Sequence, residues 1–127
     1  MATVQPTWNR SVGGSGSADL VTWVLTTADV DGAPISLPEH ADLCWQAIGT
    51  WGGATLTLQG SNTTTDAEFM SLTNAAGGTA ATFTADGIKN TIETPIYKRP
   101  KLTTAGSGAS VTVTLLIRRN SPIMPGR

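Results

Sequence analysis

The sequence predicts an all-β protein, a single antiparallel β-sandwich of about eight strands with extended N- and C-terminal arms. Three observations lead there. Apolar and polar residues alternate with a period of two in run after run. Glycine-containing turns separate those runs every ten or so residues. No segment of ten or more residues combines a helical period with caps. A chain of 127 residues, 39% hydrophobic and 13% charged, has the size of one domain and the composition of a folded one. Disordered chains instead combine low hydrophobicity with high net charge.

Residues 1–18 show no sustained period and contain "GGSGS" at 13–17, so they are expected to form an N-terminal arm. Trp8 and Arg10 lie within it. A large aromatic on an arm loses apolar burial unless it docks, on its own domain or on a neighbour. The sandwich domain is assigned to 19–119. "LVTWVLT" (20–26) sets Val21, Trp23 and Leu25 against Leu20, Thr22, Val24 and Thr26, which reads as a strand. "ADVDGAPISLPEH" follows, where Asp31-Gly32 and two prolines break any regular element. "LCWQAIG" (43–49) resumes the alternation, with Leu43, Trp45 and Ala47 on one side and Cys44, Gln46 and Ile48 on the other.

"GGATLTLQGSN" (52–62) predicts a strand with Ala54, Leu56 and Leu58 inward and Thr55, Thr57 and Gln59 outward, stopped by a turn at Gly60-Ser61-Asn62. Its outward face would offer hydroxyls and amides to water or a partner. "AEFMSLT" (67–73), "ATFTA" (81–85) and "NTIET" (90–94) are shorter candidates. "IYKRPKL" (96–102) is expected at a sheet edge, because Pro100 cannot donate to a ladder. "SVTVTLLI" (110–117) points Val111, Val113, Leu115 and Ile117 inward. Residues 120–127, with two prolines, form the second arm.

Chemistry is sparse. A formal charge of −1 and a pI near 5.6 provide no general attraction for nucleic acid or anionic lipid, and neither partner is expected. Cys44 is the single cysteine, so no intrachain disulfide forms. His40 and Cys44 are too few for a zinc site and read as a loop histidine and a small buried thiol. "DVDG" (29–32) lacks the later ligands of a calcium loop. Asp66, Glu68 and Glu93 form no acid pair of recognisable spacing, and the glycine-rich stretches lack the lysine of a phosphate loop. No catalytic, cofactor or metal residue is assigned, and a non-enzyme is expected. The start shows no signal peptide, and the longest aliphatic run is Leu115-Leu116-Ile117, which leads us to expect synthesis in a cytoplasm.

Interface candidates are therefore sought among aromatic and basic residues. Trp23 and Trp45 lie in alternating strands and belong to the core, which leaves Trp8 and Trp51 as the exposed tryptophans. Lys98, Arg99 and Lys101 on the expected edge strand, and Arg118, Arg119 and Arg127 at the C-terminal end, either discourage edge-to-edge aggregation or meet an acidic partner.

At "GGATLTLQGSNTTTDAEFMSLT", then "ATFTADGI", "YKRPKLT" and "GSGASVTVTLLIRR", the chain resembles a family of small structural proteins of tailed bacteriophages. The matching features are Gly60-Ser61-Asn62, Tyr97 to Pro100, Gly106 to Gly108 and Val111 to Arg119, within residues 43–119. The resemblance implies a head decoration, or cement, protein: a β-sandwich, jelly-roll-like, on the capsid exterior of the virion. It implies the phage major capsid protein and copies of itself, as dimer or trimer, as partners, and no catalytic residues. A tail or fibre accessory protein and a carbohydrate-binding module are the alternatives, the latter requiring an exposed tryptophan such as Trp51.

Overall fold

The alternating segments become strands where one face has a core to cover. The computed structural model describes residues 3–10, 18–36 and 40–119. In chain order its strands are β1 (Thr3–Val4), β2 (Thr7–Arg10), β3 (Ala18–Thr26), β4 (Asp31–Gly32), β5 (Ile35–Ser36) and β6 (His40–Thr50). They continue as β7 (Thr55–Ser61), β8 (Met70–Ser71), β9 (Thr82–Phe83), β10 (Gly87–Asn90), β11 (Tyr97–Thr104) and β12 (Ser110–Arg119). One sheet of seven strands runs β1-β4-β11-β7-β8, with β5 also on β11 and β9 also on β7. The other, of five, runs β10-β6-β12-β3-β2. From β3 onward the chain passes back and forth between the sheets, a jelly-roll-like sandwich. Every pairing is antiparallel except β1 with β4. Strand number exceeds the expected eight because five two-residue strands flank the long ones.

The core lies between the sheets. From the five-stranded side Val21, Trp23 and Leu25, Trp45 and Ala47, and Val111, Val113, Leu115 and Ile117 face inward; Leu56, Leu58, Phe83 and Leu102 meet them from the other. Trp23 and Trp45 stack at its centre, ring centroids 6.0 Å apart at 18°. Both indole N–H groups find partners, Trp23 donating to the Ala33 carbonyl at 3.0 Å and Trp45 to the Thr91 hydroxyl at 3.2 Å, as buried tryptophans require.

Several expectations are corrected. β11 is interior: β7 pairs along one side, and β4 and β5 along the other. Pro100 is tolerated because that flank is split, β4 ending at Gly32 and β5 starting at Ile35. A Cβ on Gly32 would stand 2.8 Å from Pro100 Cδ and Cγ, so the missing side chain makes room for the ring. Asp31-Gly32 is accordingly a strand rather than a break. β7 continues through Gly60 and Ser61, where a Cβ on Gly60 would stand 2.4 Å from Pro95 Cγ. Close packing, not a turn, requires that glycine.

Residues 67–73 hold a 3₁₀ turn (Asp66–Glu68) and then the short β8, rather than one strand. The strand expected at 90–94 begins earlier, at Gly87, where Asp86 Oδ1 accepts from the Gly49 amide at 2.9 Å and fixes the approach to β6. His40 lies in β6, not a loop, and Cys44 is half-buried on the outward side of that strand because its inward neighbour is Trp45. In the N-terminal segment, β1 pairs with β4 and β2 with β3; residues 3–10 thus cross from the edge of one sheet to the edge of the other. The "GGSGS" segment and residues 120–127 lie outside the described residues.

Candidate docking surfaces

The two outer faces of the sandwich differ in charge. On the seven-stranded sheet the charged side chains are occupied within the fold. Arg99 is buried, its Nε donating to Gln59 Oε1 at 2.9 Å and its Nη1 to Asp66 Oδ1 at 2.6 Å. That guanidinium, by hydrogen bond and charge, holds the Asp66 carboxyl below the usual carboxylate range. Lys101 Nζ stands 3.4 Å from Asp31 Oδ1. Lys98 is fully buried, its Nζ donating to the Pro95 carbonyl at 2.7 Å. Lys98 and Arg99 are thus neither edge charges nor accessible contacts, a correction that follows from the interior place of β11. The threonine face of β7 is likewise occupied, with the Thr57 and Thr103 hydroxyls 2.9 Å apart and Gln59 held by Arg99.

The tryptophans expected to be exposed are half-buried and pack against the core. Trp8 sits opposite Val21 in the β2–β3 ladder, which points it inward. Trp51 donates its Nε1 hydrogen to Asp86 Oδ1 at 2.9 Å. This bond, with that of the Gly49 amide, lowers the Asp86 pKa.

Register brings three of the sequence-selected arginines to one end of the five-stranded sheet. Arg10 stands opposite Asp19, Arg118 opposite Ala18 and Asp42, and Arg119 opposite His40. Arg127 lies outside the described residues. Away from this end, Lys98, Arg99 and Lys101 have the partners given above, and Lys89 has its Nζ 5.2 Å from the Phe83 ring centroid.

Above this end, the outer face of the five-stranded sheet is uncharged. Cross-strand partners set Ile48, Thr112 and Val24 in one row, and Ile88, Gln46, Thr114, Thr22 and Thr7 in the next. Cys44, Leu116 and Leu20 form a third. Val24, Ile48 and Ile88 are 47%, 49% and 62% exposed. The alternation of 43–49 had separated Cys44, Gln46 and Ile48 from the core side; what it missed was Ile88, in a segment expected to turn, and the joining of these residues into one surface. Charged residues also lie near each other in a groove of about 530 Å³ beside Met70 and Pro95, which Glu68 and Glu93 line. Both carboxylates are already bound within the fold, Glu68 by the Thr63 hydroxyl and Glu93 by the Thr73 amide and hydroxyl. Among the described residues no three His, Cys, Asp or Glu side chains form a group that could hold a metal ion.

The chain is similar in structure to a cupin protein from Bacteroides fragilis, 13% identical, with 98% of this chain and 85% of that one covered at a TM-score of 0.45. No protein-family model and no curated protein matches it.

Proposed function

We propose that this protein is a non-enzymatic virion component that binds the outside of a phage capsid and cements shell subunits, meeting an acidic patch of the major capsid protein with its arginine end. The observation that carries this reading is the segregation of charge. Lys89, Lys98, Arg99 and Lys101 lie elsewhere, with partners in the fold, and strand register brings the backbones of Arg10, Arg118 and Arg119 together at one end of the five-stranded sheet. Arginine suits such a contact because its planar donor fork matches carboxylates and is weakly hydrated. The phage-protein pattern within residues 43–119 points the same way. A shell repeats its sites, so individually weak contacts gain avidity when subunits are linked.

The test is binding to purified source particles, read by co-sedimentation. An R118E/R119E variant and a chain lacking residues 120–127 should each bind at least about tenfold more weakly, the loss of about 1.4 kcal/mol expected for desolvated charge contacts, while keeping the wild-type unfolding midpoint. Undiminished binding by both would remove the arginine end as the clamp. Counting copies against the major shell protein tests location: a simple ratio means decoration, and a handful of copies per particle means a tail part.

A further inference from the structure

We infer that the uncharged outer face of the five-stranded sheet is where a second copy of this chain packs, sheet against sheet about a two-fold axis. The pairing does not depend on the capsid reading, since it uses a different surface from the arginine end and would hold in free solution.

The composition of the face is the first argument. From the row of Leu20, Leu116 and Cys44 to the far ends of the strands, every outward side chain among the described residues is uncharged. Aliphatics are mixed there with threonine, whose methyl group packs and whose hydroxyl hydrogen-bonds. Depletion of charge is what marks the buried part of a protein interface, homodimers most of all. Self-pairing adds a further constraint, because a two-fold axis brings a patch against itself and any charge near the axis meets its own sign. A face free of charge escapes that repulsion. The other sheet, with Arg99, Asp66, Lys101 and Asp31, does not have this property.

Area is the second. The three long strands, about 4.8 Å apart, span about 20 Å over the six steps from Leu20 to Thr26, and the four-residue β2 and β10 flank about half of that length. The flat footprint is therefore roughly 400 Å² a side, so that two opposed faces bury about 800 Å², the size of a weak, concentration-dependent dimer rather than a permanent one. The protruding Val24, Ile48 and Ile88, about half exposed or more in the single chain, supply the apolar contact. Two copies of one twisted sheet pack naturally at the small angle that aligned sandwiches adopt.

The experiment is sedimentation velocity on the full chain across a concentration series, with Cys44 as a built-in reporter. A 13.1 kDa chain should sediment as a dimer at micromolar concentration, and alkylation of Cys44, the single thiol, should slow severalfold as the dimer fills. V24K and I48K, which place like charges across the axis at exposed positions, should each shift the dimer toward monomer by at least tenfold in Kd with unchanged unfolding midpoints. The same charge placed in the turn after β7 of the other sheet, T64K, should leave the dimer intact. A monomer at every concentration, a trimer, or a dimer indifferent to both lysines would overturn the proposal. So would a solution monomer whose particle binding is lost in I48K, which would make this face a shell contact instead.

Discussion

The guanidinium carbon of Arg99 sits 4.1 Å from the ring centroid of Phe69. Stacked on that ring and bonded at its edge to Gln59 and Asp66, Arg99 covers the ring as a hydrocarbon would while keeping its charge neutralised. Removing it leaves Gln59 Oε1 without its donor and uncovers Phe69. Arg99→Met should cost about 1–3 kcal/mol. Arg99→Lys should recover little, since an ammonium cannot stack and bond two partners in one plane. Urea unfolding midpoints decide, and a wild-type midpoint for Arg99→Met would refute the role.

The carboxyls of Asp66, Asp86 and Glu93 are held below their ordinary range: Asp66 through the hydrogen bond and charge of Arg99, Asp86 through Trp51 and the Gly49 amide, and Glu93 through the Thr73 hydroxyl and amide. A folded-state pKa below the unfolded one means stabilisation that is complete above the ordinary carboxylate range and lost as the pH falls through the depressed values. The melting temperature should hold level down to about pH 5 and fall below about pH 4. The triple variant D66N/D86N/E93Q should lose stability at neutral pH and show a flatter acid limb; an acid limb as steep as wild type would contradict this assignment.

Trp45 has its indole in the stack with Trp23 and its N–H on Thr91. Trp45→Ala opens the centre of the core and should cost about 3–5 kcal/mol, whereas Trp45→Phe keeps most of the volume. Phe leaves the Thr91 hydroxyl without its donor and should cost about 1–3 kcal/mol. Guanidinium unfolding followed by far-ultraviolet dichroism ranks the two, and equal costs would mean that the cavity does not govern the loss.

Gly49 lies opposite Val111 where β6 meets β12. A Cβ there would stand 2.1 Å from the Ser110 carbonyl oxygen and 2.9 Å from Val111 Cα, backbone atoms with no rotamer to change. Gly49→Ala should therefore destabilise by at least the about 1–3 kcal/mol of an overpacked core and loosen the β6–β12 ladder at that end. Hydrogen exchange at Ser110 to Thr112 checks it, with unaltered protection as the opposing outcome.

Much of the fold was legible in residue order. The alternation of 20–26, 45–49, 54–58 and 110–117 separated the inward side chains correctly, because a pleated strand has only two faces and one had to meet the core. Residues 3–10 were not legible, since β1 and β2 take their pairing from distant β4 and β3 and leave no period of their own. Nor was the place of β11. Pro100 argued for an edge on the rule that a missing N–H needs no partner, and only the break between β4 and β5, with Gly32 beneath the ring, shows how an interior strand accommodates it.

The candidate surfaces divide in the same way. Trp8, Arg10, Trp51, Lys98, Arg99, Arg118 and Arg119 were all visible as aromatic or basic residues, but burial depends on which strands flank them. The sequence by itself determined an all-β sandwich, its inward set and its poverty in charge, because those follow from period and composition. Only the tertiary structure decided which charges are spent inside the fold, which arginines share an end, and that Val24, Ile48 and Ile88 join into one neutral face. Neighbours in a sheet are set by hydrogen-bond register between segments far apart in the chain, and period alone carries no record of that register.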